Sequence, residues 1–188
     1  MIHRSCWFVI SLCLLLGACH KPTPPAQRVL LREARVTPGT GVNGLKLGMP
    51  VAEVLREFGK ANTSWSTRGF QLDYHDLGVY ALAAGTASNN GGQPVDPSPL
   101  AITEIACGTP ESGDGATFWG RTTADLGIGS TSTLIERTYG PAPEHSAATL
   151  SYPQLGIRFT MQDDHAVRMI IFPPVHAATT STSLPQEK

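Results

Sequence analysis

The sequence predicts an α+β fold made of two tandem copies of a helix followed by an antiparallel three-stranded meander, with the helices packed on one sheet face. Three observations lead there. Leu45-Lys46-Leu47-Gly48, Val54 and Phe58-Gly59 align in order and spacing with Leu126-Gly127-Ile128-Gly129, Ile135 and Tyr139-Gly140. Further on, Leu72-Asp73-Tyr74-His75-Asp76-Leu77-Gly78-Val79 aligns with Leu150-Ser151-Tyr152-Pro153-Gln154-Leu155-Gly156-Ile157. Such internal similarity marks repetition of one supersecondary unit. Inside each copy the apolar spacing changes from that of an amphipathic helix to the alternation of a half-buried strand.

In the first copy Val51, Val54, Leu55 and Phe58 gather on one helix stripe; Pro50 suits the first helical position and Gly59 ends the helix. Phe70, Leu72 and Tyr74, then Leu77, Val79 and Ala81, alternate as strands. Ala101 to Cys107 is the third strand and matches Ala166 to Phe172 once the Gly-, Asn- and Pro-rich segment Gly85 to Ser98 is set aside as a long hairpin loop. The second copy has its stripe at Leu134, Ile135 and Tyr139, with Ser130 as N-cap and Gly140-Pro141 as the stop. Its strands follow at Leu150 and Tyr152, at Leu155 to Met161, and after the turn Asp163-Asp164. Helices this short are marginal alone in water and need a sheet to pack on. Copies this small also share one compact unit, because each buries little by itself.

Outside the copies, residues 1–18 have the form of an export signal: charge at Met1 to Arg4, then an apolar run to Leu16. The run is shorter than the ~20 residues a membrane-spanning helix needs. Leu16-Gly17-Ala18-Cys19 resembles the lipobox of bacterial lipoproteins, which implies diacylglycerol on the Cys19 thiol and cleavage before it. His20 in place of Asp then implies the outer membrane, facing the periplasm. An ordinary secretory signal that ends beside a cysteine is the alternative. Residues 19–43 read as a Pro-rich tether, 44–119 and 120–173 as the two copies, and 174–188 as a disordered tail. With Cys6 and Cys13 in the signal and Cys19 acylated, Cys107 is left alone, so the domain needs no disulfide. Removing Arg4 from 14 basic residues against 15 acidic leaves a slight acidic excess, which argues against nucleic acid as a partner.

Gly48-Met49-Pro50, Glu53-Val54-Leu55 and Phe58-Gly59 behind a lipobox are similar to the helical start of the small lipoprotein family of the outer-membrane β-barrel assembly machine. The tandem arrangement over residues 44–172 resembles the β-lactamase-inhibitor protein fold, which implies a concave sheet that grips a partner protein. Lys60 stands in the first copy where Pro141 follows the helix-ending glycine of the second, a departure from that pattern.

Chemistry-bearing motifs are few. Gly127-Ile128-Gly129-Ser130 lacks the second half of a nucleophile elbow and has no Lys-Ser or Lys-Thr for a phosphate loop. Cys107 would become a reactive thiol only beside His75 or His165; otherwise it is a small apolar residue at a strand end. His75-Asp76 and Asp163-Asp164-His165 lack metal-ligand spacing. No catalytic residue, metal or cofactor is therefore expected.

Alternation sends Tyr80, Arg158, Thr160 and Arg168, with Gln71 and Asp73, to the sheet face away from the helices, and Tyr and Arg are common interface anchors. The same residues also suit a plain solvated face. Trp119, beside Phe118, is either a further anchor or packed between the copies. The function expected is a membrane-anchored, non-catalytic protein-binding module whose partner the sequence does not name. A small envelope enzyme such as a cell-wall hydrolase is the alternative.

Overall fold

The computed structural model describes residues 34–88, 94–108 and 118–176. In chain order these form β1 (Arg35–Thr37), β2 (Gly41–Val42), β3 (Leu45–Lys46), helix α1 (Val51–Phe58), β4 (Asn62–Ser66), β5 (Gly69–Tyr74), a 3-10 turn at His75–Leu77, β6 (Val79–Ala83) and β7 (Ile102–Gly108). The second half continues with β8 (Arg121–Thr122), helix α2 (Ser132–Tyr139), β9 (Glu144–Ser146), β10 (Thr149–Tyr152), β11 (Ile157–Gln162) and β12 (His165–Ile171). One sheet has eight strands in the order β4-β5-β6-β7-β12-β11-β10-β9, and a smaller one has four in the order β3-β2-β1-β8.

The protein is thus mostly β, which corrects the expected α+β pair of helix-plus-three-stranded-meander copies with helices packed on one sheet face. Among the described residues, helix amounts to two eight-residue segments. Three physical reasons account for the error. First, β4 (Asn62-Thr63-Ser64-Trp65-Ser66) and β9 (Glu144-His145-Ser146) are polar strands at the two edges of the sheet, exposed or half-buried throughout. Backbone pairing holds them, helped in β4 by Trp65 packed edge-on to Phe70, and one aromatic residue makes no apolar alternation to announce them. Second, the halves are not separate meanders: β7 and β12 pair antiparallel, Ile105 with Ile171 and Cys107 with Met169, and merge all eight strands. Third, residues 34–43, read as part of a tether, supply β1 and β2, and β1 pairs in parallel with β8 from beyond the first copy. Val36 and Val42 are buried there.

Local readings fare unevenly. In α1, Val51, Val54 and Phe58 are fully buried as their spacing requires. Pro50 sits at the N-cap with extended backbone and no capping side chain. Carbonyls of the 84–101 connection replace the cap: Val51 N–H donates to Leu100 O (2.9 Å) and Ala52 N–H to Ser98 O (3.1 Å). That connection joins the antiparallel neighbours β6 and β7. In α2 the N-cap is Thr131, whose hydroxyl accepts from Leu134 N–H, not Ser130, whose hydroxyl instead accepts from Gly127 N–H (3.0 Å). Ile135 is buried, but Leu134 is 44% exposed because the stripe is narrower than its apolar letters suggest. Leu155 is also exposed, lying in the turn before β11 rather than on it.

One apolar cluster runs through the molecule, from Val36 and Leu45 through Phe58, Leu72 and Ile105 to Phe159 and Met169. After β12, Val175 N–H donates to Pro153 O, so residues 173–176 still follow the folded body. The signal, Cys19 and most of the tether and tail lie outside the described residues.

Candidate binding face

Strand alternation divides the large sheet sharply. Leu72, Tyr74, Val79, Ala81, Ile105, Cys107, Ile157, Phe159, Met169 and Ile171 turn into the apolar cluster. The intervening residues form the opposite face. Cross-strand register lays Asn62, Asp73, Tyr80, Ala106, Ile170, Arg158 and Ser151 side by side across seven strands. A second row holds Ser64, Gln71, Leu82 and Glu104.

Over β4 to β7 and β12 this face forms a cavity of about 510 Å³. Asn62, Ser64, Gln71, Asp73, Tyr80 and Arg168 supply most of its polar lining, and Leu82 and Ala106 supply apolar surface. Arg168 faces Gly108 across the β7–β12 pair, where no side chain stands in its way, and its guanidinium lies 5.9 Å from the centre of the Tyr80 ring. Arg68, in the β4–β5 turn, pairs with Glu104 at the edge of the cavity.

Buried polar atoms stand in the wall of the cavity. Asp73 Oδ1 and Tyr80 Oη are buried without a hydrogen-bond partner among the described residues. Burial pushes the Asp73 carboxyl above the usual carboxylate range, with His75 opposing and Asp76 adding to the shift. Burial likewise raises the Tyr80 phenol; Asp73 adds to that shift and Arg168 opposes it. Native polar groups in such places are normally satisfied by protein or water.

Of the residues singled out in the sequence, Tyr80, Arg168, Gln71 and Asp73 converge on this cavity. Arg158 shares the face but lies beyond the cavity, its guanidinium 5.4 Å from the centre of the Phe172 ring. Thr160 is the register partner of Arg168. Trp119 is elsewhere and 60% exposed, so it is not packed between the chain's two halves; it borders a second cavity of about 380 Å³ with Arg35 and Arg121. A third, of about 250 Å³, lies by Ser132, His145 and Asp164.

Asn62, Ser64, Arg68 and Glu104 were not legible as site residues. The first two lie on an edge strand without a period, and the ion pair joins positions far apart in the chain. Cys107 is buried in the apolar cluster, which pushes its thiol pKa up, while His75 and His165 are exposed; none of the three lines any of these cavities. Among the described residues, no group of three His, Cys, Asp or Glu could hold a metal ion, and no helix is long and apolar enough to cross a membrane. No protein-family model, curated protein or solved structure matches the chain.

Proposed function

We propose that this chain is an envelope lipoprotein, exported on residues 1–18, held by lipid on Cys19 at the outer membrane facing the periplasm, and acting as a non-catalytic module that docks another protein. The observation that carries the docking role is the open face of the eight-stranded sheet, where Tyr80, Arg168 and Asp73 border one cavity and Arg158 extends the same surface. A broad, paired sheet is a rigid platform, and an aromatic residue beside arginine in a concave setting is the composition that interface anchors favour. That platform carries buried polar atoms, Asp73 Oδ1, Tyr80 Oη and Ser151 Oγ among them, for a docked protein to engage. The lipobox supports the anchoring half of the proposal.

The test is in-cell cross-linking through a photo-reactive residue placed singly at Gln71, Arg158, Trp119 or, as a control on the exposed side of α2, Arg137. Specific protein adducts from Gln71 and Arg158 that Arg137 does not give are the expected result. Failure of both sheet positions to capture anything specific would sink the docking face. Anchoring is tested separately, by the mass of the N-terminal peptide from the membrane fraction; an unmodified Cys19 would exclude it.

A further inference from the structure

The outer face of the four-stranded sheet is basic, and it lies where the chain enters the fold. Register puts Val36, Val42, Leu45 and Thr122 on the buried side, so Arg35 on β1, Lys46 on β3 and Arg121 on β8 turn outward. Arg35 and Arg121 are direct partners in the parallel β1–β8 pair, two like charges side by side. Asp125 answers one of them: Arg121 Nη1 lies 3.6 Å from its carboxylate and donates to its carbonyl at 2.8 Å. Among the described residues no carboxylate pairs with Arg35 or Lys46. Beside the two arginines stands Trp119, 60% exposed, and the three border the cavity of about 380 Å³ together with Ala34, the first described residue.

Ala34 follows Cys19 by fifteen residues, a reach of at most about 50 Å when extended. Those between carry Lys21, Arg28 and Arg32 against Glu33 alone, so the basic character of the face continues in sequence toward Cys19. Cations beside an acyl anchor, with an exposed indole, suit contact with anionic headgroups: phosphates answer guanidinium and ammonium groups, and indole settles where hydrocarbon meets water. The whole chain has a formal net charge of -1, so the attraction is local to this corner.

We infer, resting on the reading of Cys19 as the lipid anchor, that this corner lies against an anionic phospholipid surface, with Arg35 and Arg121 on phosphate groups and Trp119 in the interface. Such contact orients the domain on the membrane, which a lipid on Cys19 alone does not do.

Binding is measured first without the lipid. The chain from residue 19, with Cys19→Ser and with Trp65→Phe so that Trp119 is its one tryptophan, is titrated with vesicles of phosphatidylcholine, alone or mixed with phosphatidylglycerol. A blue shift of Trp119 emission and quenching by chain-brominated lipid are expected with the anionic vesicles only. Arg35→Gln/Arg121→Gln, checked for an unchanged circular dichroism spectrum, should weaken partitioning roughly twentyfold, about fivefold per charge. No response to anionic vesicles, an equal response to neutral ones, or full binding by the double variant overturns the inference. So does loss of vesicle binding to inorganic phosphate at fixed ionic strength, which would make this a site for the free anion.

The lipidated protein is then reconstituted in the same two kinds of vesicle, and acrylamide access to Trp119 is compared. Protection with phosphatidylglycerol, lost in Arg35→Gln/Arg121→Gln, is expected; equal access in both overturns the inference while the anchor stands. An unmodified Cys19 defeats the anchor reading instead, and the first titration still decides the basic corner. A specific protein adduct from a photo-reactive residue at position 119 in cells would give this corner to a protein partner and overturn the membrane contact.

Discussion

The phenol of Tyr74 on β5 donates a 3.1 Å hydrogen bond to the carbonyl of Gly59, the residue that ends α1. The same relationship recurs in the second half, where the Tyr152 hydroxyl donates to Gly140 O at 3.0 Å, just after α2. A helix C-terminus leaves carbonyls without intrahelical partners, and here a strand tyrosine answers one of them while its ring stays in the core. Removing the hydroxyl but not the ring isolates the bond. Tyr74→Phe and Tyr152→Phe should each lower unfolding free energy by about 1 kcal/mol in urea titration, and the double variant by about the sum, since the two bonds share no partner. A change below the error of the measurement in both single variants would show that water replaces the phenols.

These tyrosines also show what the sequence could disclose. Tyr74 and Tyr152 lie in the aligned blocks, as do Phe58-Gly59 and Tyr139-Gly140, so helix stops and strands with a buried face were legible from spacing alone. The fold class was not. It turns on β4 and β9, whose polar side chains carry no period, on the β7–β12 pairing that joins the halves, and on β1, from a segment read as a tether, meeting β8 at the start of the second copy. Pairing between distant backbones leaves no periodic trace. For the binding face, alternation grouped Gln71, Asp73, Tyr80 and Arg168; which of these make a cavity depends on how β7 and β12 join the two halves, which spacing does not disclose.

Asp73 should make stability fall with rising pH. Its carboxyl is raised above 3.8 in the folded protein, so between that value and its native pKa the folded state binds more protons than the unfolded chain. Stability therefore declines through that window and stays reduced above it. Asp73→Asn removes the effect and should melt above the wild type at pH 7, with the difference shrinking as pH falls toward and below 3.8. A variant less stable than the wild type at pH 7 would mean that the carboxylate has a structural partner.

Cys107 predicts chemical silence. Its side chain lies between Val79 and Met169 in a fully buried position, and burial raises its thiol pKa, so almost no thiolate exists near neutral pH. In a chain with Cys19 acylated or replaced, an aromatic disulfide reagent should label Cys107 no faster than the protein opens, and at once in urea. Rapid labelling of the folded protein would place the thiol at an accessible site. Cys107→Ser puts a hydroxyl in the same apolar pocket and should destabilise by about 1 to 3 kcal/mol.

Phe118 and Trp119 are adjacent aromatic residues with opposite roles. Phe118 is 1% exposed and belongs to the core, whereas Trp119 is 60% exposed at the entrance to β8. The packing around Phe118 is tight enough that a Cβ built on Gly120 would come within 2.2 Å of both the Phe118 ring and Ala34 O. Phe118→Ala therefore opens a cavity that this backbone cannot easily collapse, and should cost about 3 to 5 kcal/mol. Gly120→Ala should destabilise as well, because the carbonyl it would strike belongs to the backbone. Trp119→Ala removes a larger side chain yet should change stability by less than about 0.5 kcal/mol, since little of it is buried. Urea denaturation of the three variants decides the matter. If Trp119→Ala proved as damaging as Phe118→Ala, the indole would be packed in solution, and its exposure could no longer support a role in docking.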